Sequence, residues 1–167
     1  MSRRCLVYGI TLIILARIQT TLTHTFSVLG MTPDLCLIFV LGIAMFDGAE
    51  NGGYVGIAAG FLESALGGVG ISLLPLLFFA IGYGTGRLAG KALARTFPSY
   101  MIYALVLCFL RPAITLAAIG LQARASGFDL TAITRDTLTP EFFANLIAAV
   151  PMYPIICQAH RWVQKKK

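Results

Sequence analysis

The sequence predicts an all-α, polytopic integral membrane protein with about six transmembrane helices, on three observations. Hydrophobic residues make up 57% of the 167 and charged ones only 12%, with a mean hydropathy of +0.82, a balance foreign to ordinary soluble domains. The apolar residues gather in runs separated by short polar breaks, as expected of helices that satisfy their own backbone groups in lipid. Small residues recur at helical spacing: Gly52, Gly56, Gly60 and Ser64 lie four apart, as do Gly82, Gly86 and Gly90. Each set forms a strip along one helix face, where two helices can approach backbone to backbone. The apolar segments consume nearly the whole chain, so residues 1–167 are expected to form a single transmembrane domain.

Met1 to Arg4 is a basic start, and the apolar run from Cys5 to Ala16 continues past Arg17 into I-Q-T-T-L. Without a small-residue cleavage site after it, this reads as an uncleaved first membrane helix. His24 and the following T-F-S-V-L-G-M-T form the first connection, with Thr32 able to cap the next helix and Pro33 suited to its first position. The second segment, Pro33 to Phe46, and the third, Gly52 to Leu66, flank the break D-G-A-E-N and are short for a hydrocarbon core of about 30 Å. They read as two thin transmembrane helices or as a re-entrant hairpin. A fourth helix is expected from Ile71 to about Leu88, a fifth from Tyr100 to Ala123 and a sixth from about Thr139 to His160. Pro75, Pro112, Pro151 and Pro154 lie within apolar runs, which predicts an irregular, kinked bundle.

Counting Lys and Arg near the segment ends, one side receives Arg3, Arg4, Arg87, Lys91, Arg95, Arg161 and Lys165 to Lys167, and the other only Arg124 and Arg135. Both termini are therefore expected in the cytoplasm, with the loop from Arg124 to about Leu138 external. Basic residues clustered at chain ends and in one loop serve membrane orientation, so the net charge of +6 does not imply nucleic acid. Trp162 beside Arg161 fits an interfacial anchor facing membrane lipid.

Arg17, Arg111 and Glu63 are charges inside apolar runs, and Asp34 opens the second helix. A charge at the bilayer centre costs about 2.5 to 3.5 kcal/mol on insertion scales, so compensation is expected. Depth counting puts all four in one outer layer, a candidate intramembrane polar site or a structural ion-pair layer, which Gln19, Thr20 and Asn145 extend. Glu63 lies about 20° from Gly52 and Gly56 on its helix, so it should face the glycine strip.

Catalytic signatures are absent. There is no HExxH, GxSxG or GxxxxGK[ST], His24 and His160 fall on opposite sides in the expected topology, and Cys5, Cys36, Cys108 and Cys157 have no metal spacing. No catalytic, cofactor-binding or metal-ligating residue is assigned, and no disulfide is expected. A chain so confined to the bilayer is expected to work by binding a partner's helix, with the glycine strips of the second to fourth helices as candidate dock and Gly56 and Gly60 as its sharpest probes.

R-I-Q-T-T-L ending the first helix, G-M-T-P-D-L opening the second, G-x-x-x-G-F-L-E-S-A-L-G-G-V-G in the third and G-Y-G-T-G-R closing the fourth together resemble the rod-shape-determining MreD family, over roughly residues 15 to 90. The chain departs from the family pattern at Asp47 to Glu50, where the family is more basic, and at Glu63, where it more often has Asp. The resemblance implies a non-enzymatic subunit of the bacterial cell-elongation machinery in the cytoplasmic membrane. Its direct partner would be MreC, within a complex that includes MreB, RodA and a penicillin-binding transpeptidase, and its role would be to couple cytoplasmic filaments to peptidoglycan synthesis. Six irregular helices with an outer polar layer also look like the small-molecule-binding subunit of an energy-coupling-factor vitamin transporter.

Overall fold

The computed structural model describes residues 3–26, 33–66, 73–89, 96–109 and 130–164. They form six helices: α1 (Arg3–Phe26), α2 (Leu35–Asp47), α3 (Ala49–Leu66), α4 (Leu74–Ala89), α5 (Phe97–Phe109) and α6 (Leu130–Gln164). Two of them contain stretches long and apolar enough to cross a membrane, Arg4–Leu22 in α1 and Phe142–Gln164 in α6, whereas α2, α4 and α5 are shorter apolar helices.

α2 is the axis of the molecule. Every residue from Leu35 to Met45 is buried, as expected of a helix that is apolar all round. Its 13 residues span only about 20 Å at 1.5 Å per residue. Short length is tolerable here because α2 contacts its own chain on every side, with α1, α3, α4 and α6 all packed against it.

The start of α2 is capped by Asp34 rather than Thr32, which lies outside the described residues. The Leu37 N–H donates to Asp34 Oδ1 at 2.9 Å, while Asp34's carbonyl accepts the first helical bond from Ile38; a short carboxylate at this position satisfies an otherwise orphaned donor. At the other end the break is narrower than D-G-A-E-N, because Gly48 alone separates α2 from α3. Its N–H donates to the Ala44 carbonyl and its own carbonyl accepts from Gly52, so it closes one helix and opens the next. Its φ of 88° and ψ of −178° lie in a region essentially confined to glycine.

α3 and α4 pack most closely of all. A Cβ on Gly52 would stand 2.7 Å from the Cα of Ala44 and 2.8 Å from the Gly82 carbonyl oxygen, and one on Gly60 would stand 2.5 Å from the Cα of Pro75. One on Gly56 would strike the Phe78 carbonyl, and one on Gly86 would strike the backbone of Ala49. The glycines thus lock α3 against α4, with α2 and the turn before α3 closing the third side. Phe78, fully buried, fills the space beside this seam.

Three expected boundaries differ. Pro75 is the second residue of α4, where the missing N–H is one that no helix would use, so it starts the helix instead of kinking it. Pro98 does the same in α5, after Thr96 accepts the helix's first bond from Tyr100. The expected loop from Arg124 to Leu138 is helical from Leu130 onward, as part of the 35-residue α6. That helix runs through Pro151 and Pro154, both exposed, so the interruptions fall on its outer face. Pro112 lies outside the described residues. All four cysteines are free.

Candidate functional site

Two polar clusters and one groove stand out. The first cluster surrounds the start of α2. Gln19 of α1 accepts from the Cys36 N–H through Oε1 at 3.1 Å and donates through Nε2 to Glu63 Oε1 of α3 at 3.5 Å, so one amide ties three helices. Asn145 of α6 accepts from the Asp34 N–H at 2.6 Å. Gln19, Asp34, Glu63 and Asn145 therefore share one layer, in which these contacts run through amides and backbone groups. Arg17 does not join it. Nine residues after Tyr8, Arg17 sits about 180° round α1 from it, away from the buried stripe of Tyr8, Leu12, Leu15 and Ala16, and it is exposed. Equal depth along a helix says nothing about azimuth, and here the azimuth decides. Thr20 also turns outward and donates back to the Ala16 carbonyl at 2.7 Å. Arg111 lies outside the described residues.

The second cluster, at the opposite end of α2, was not singled out from the sequence. Asp47 accepts from the Tyr8 hydroxyl of α1 at 2.5 Å and meets His160 Nδ1 of α6 at 2.9 Å. The latter contact is close but not aligned as an in-line hydrogen bond. Gln164 lies 3.0 Å from His160 Nε2; with the amide donating, the imidazole proton stays on Nδ1 and faces Asp47. Phe46 stacks on the imidazole at 5.3 Å, and the Asp47 carbonyl accepts from Asn51 of α3. Tyr8 and His160 are separated from Asp47 by 39 and more residues, so no local spacing announces the group; the signal was an acid beside a glycine turn and an aromatic-flanked His near a basic end. A carboxylate between a phenol and an imidazole is also an acid–base arrangement, yet no nucleophile accompanies it among its described contacts. Among the described residues no three His, Cys, Asp or Glu side chains converge as a metal site needs.

The third feature lies on α4 and α5. A groove of about 160 Å³ is lined by Gly84, Thr85 and Leu88 of α4 and Tyr103 and Val106 of α5, with Leu41 of α2 at its floor. Gly84 is the open counterpart of the seam glycines, since a Cβ there would meet nothing within 4 Å. Tyr103 is 9% exposed and its hydroxyl has no hydrogen-bond partner.

The seam glycines, by contrast, are covered from within. Gly52, Gly56, Gly60, Gly82 and Gly86 are all against backbone or side chains of the same chain, which leaves a partner helix no access to Gly56 or Gly60; Gly90 lies outside the described residues. The strip of α3 lies against the backbone of α4 from Pro75 to Gly82, and Gly86 against Ala49. Comparison of the chain with family models, with curated proteins and with solved structures finds no match in any of the three.

Proposed function

We propose that the chain is a non-enzymatic, multi-pass subunit of the bacterial cytoplasmic membrane, with both termini cytoplasmic, that binds the transmembrane helix of a single-pass partner. On the resemblance to the MreD family the partner is MreC, the wider assembly includes MreB, RodA and a penicillin-binding transpeptidase, and the outcome is coupling of cytoplasmic filaments to peptidoglycan synthesis in rod-shaped growth. On this reading the shorter helices supply the other passes, and the Lys and Arg imbalance supplies the orientation.

The observation that carries the reading is the α4–α5 groove. In lipid, helices associate through close van der Waals contact and interhelical hydrogen bonds. An open glycine offers the first and an unpaired, buried Tyr103 hydroxyl the second. The polar side chains elsewhere bond helix to helix, which suits a scaffold.

The groove supplies a clean test, because Gly84→Leu adds a side chain into open space. The variant is expected to keep wild-type thermal stability within about 0.5 kcal/mol, as substitutions away from packed features do, and to lose co-purification with MreC and rod morphology. Tyr103→Phe should weaken the same interaction to a lesser degree. A folded Gly84→Leu protein that still retains MreC and still supports rods overturns the reading.

A further inference from the structure

The Tyr8 and His160 contacts of Asp47 also align the two membrane-crossing helices. Tyr8 and His160 reach the same carboxylate, so the start of α1 and the end of α6 stand at one level and the helices run antiparallel. From that level α1 proceeds through Ile10 to Ile14 while α6 runs back to Ile155, and between them lies an apolar crevice of about 440 Å³. Its walls are uncovered: Leu6 is 52% exposed, Ile10 51% and Ile14 53%. From Leu6 to Ile14 it extends about 12 Å along α1.

The crevice is amphiphilic along its length. At its end it meets Gln158 and Trp162, and these two residues also line a second hollow that contains Arg161. On the α1 side Arg4 lies seven residues before Thr11, about 20° from it, and Thr11 is part of the crevice wall. Arg4 and Arg161 are both exposed, and among the described residues neither has a carboxylate partner. The indole of Trp162 therefore closes the apolar track, with Arg161 in the adjoining hollow and Arg4 two residues before Leu6 on the other helix, so both arginines belong to the end of the crevice in height without lining it. Guanidinium forks match phosphate geometry, and Trp with basic residues marks the headgroup level of a membrane.

We propose that this crevice binds an anionic phospholipid, with one acyl chain along Leu6, Ile10, Ile14 and Ile155 and the phosphate between Arg4 and Arg161 beside Trp162. The inference rests on the membrane reading but not on the identity of any protein partner. A lipid in this position would rivet α1 to α6 at the end where Asp47 already joins them.

The test is retention of defined lipids. Protein reconstituted in nanodiscs containing equal phosphatidylglycerol and phosphatidylethanolamine is released into the gas phase, and bound lipids are counted by native mass spectrometry. Wild type should keep one phosphatidylglycerol in preference. The double variant Arg4→Gln with Arg161→Gln should lower that retention at least fivefold without changing phosphatidylethanolamine. Ile10→Trp, which fills the exposed crevice, should remove the bound lipid with both arginines intact. Equal retention of the two lipids by wild type, or unchanged phosphatidylglycerol in both variants, overturns the proposal. So does an Ile10→Trp protein that keeps its lipid but loses a co-purifying protein, because the crevice then holds a helix. Carbonate extraction of membranes separates the two readings: a wild-type chain released as soluble protein defeats the membrane reading itself, whereas a chain that stays in the membrane without lipid preference defeats only this inference.

Discussion

The α3–α4 seam and the α1–α6 strap hold the same central helix by opposite means. In the seam, glycines place backbone on backbone, and the atoms in contact are carbonyls and Cα atoms that cannot rotate away. In the strap, α1 and α6 reach α2 through side chains: Tyr8 and His160 at Asp47, Gln19 at the Cys36 N–H, Asn145 at the Asp34 N–H. The difference concerns tolerance. A contact between backbones has one solution, whereas a contact between side chains can repack, so the seam should be brittle and the strap graded. The α2–α3–α4 unit is thus the rigid part of the fold, and α1 and α6 are the compliant helices beside it.

The largest effect should come from breaking the seam. Gly56→Leu drives a side chain into the Phe78 carbonyl, where no rotamer change gives relief. Overpacking ordinarily costs about 1 to 3 kcal/mol, and here the upper end or more is expected. Thermal unfolding in detergent, read against Gly84→Leu on the open face of α4, measures the contrast. Equal stability of the two variants would erase the distinction between closed and open glycines.

Removing Asp47 tests the strap and should cost less. Asp47→Leu leaves the Tyr8 hydroxyl and His160 without their partner, and an orphaned buried polar group costs about 1 to 3 kcal/mol. If the carboxylate joins α1 to α6 through α2, Asp47→Leu and Tyr8→Phe should couple by about 0.5 kcal/mol or more in a double-mutant cycle, as should Asp47→Leu and His160→Phe. Strict additivity in both cycles would reduce the cluster to bystanders.

Legibility from sequence follows the same division. Gly52, Gly56 and Gly60 announce their face by local spacing, and the helical class, the short α2 and the length of α1 follow from composition and run length. Which side of the strip the partner occupies is not local, and the chain filled it with its own α4 backbone, Gly82 against Gly52, Phe78 against Gly56 and Pro75 against Gly60. The Asp47 end of the strap is not legible because its members are scattered: Tyr8 reads as one more apolar residue, Asp47 as part of a polar turn and His160 as the end of the sixth helix. Arg17 shows the limit from the other side, since it stands two residues from Gln19 on α1 yet faces away from the layer that Gln19 joins. Leu130 to Leu138 has the polarity of a loop, yet it extends α6.

The mildest perturbation sharpens the comparison most. Gly42 of α2 faces α6, and a Cβ there would meet the side chain of Ile156, including its Cγ2 at 2.8 Å and Cγ1 at 3.0 Å, with no backbone among its nearest atoms. The obstacle is a branched side chain, which can turn or be trimmed. Gly42→Ala should therefore cost only about 1 kcal/mol, at the low end of overpacking. Ile156→Val removes one methyl group as Gly42→Ala adds one, so the pair nearly conserves volume, and the double variant should be more stable than the sum of the single losses by about 0.5 kcal/mol or more. No trimming can rescue Gly56→Leu in this way, because its obstacle is the main chain of α4. If Ile156→Val fails to relieve Gly42→Ala, the α2–α6 contact is as unyielding as the seam, and the compliance assigned to the strap is wrong.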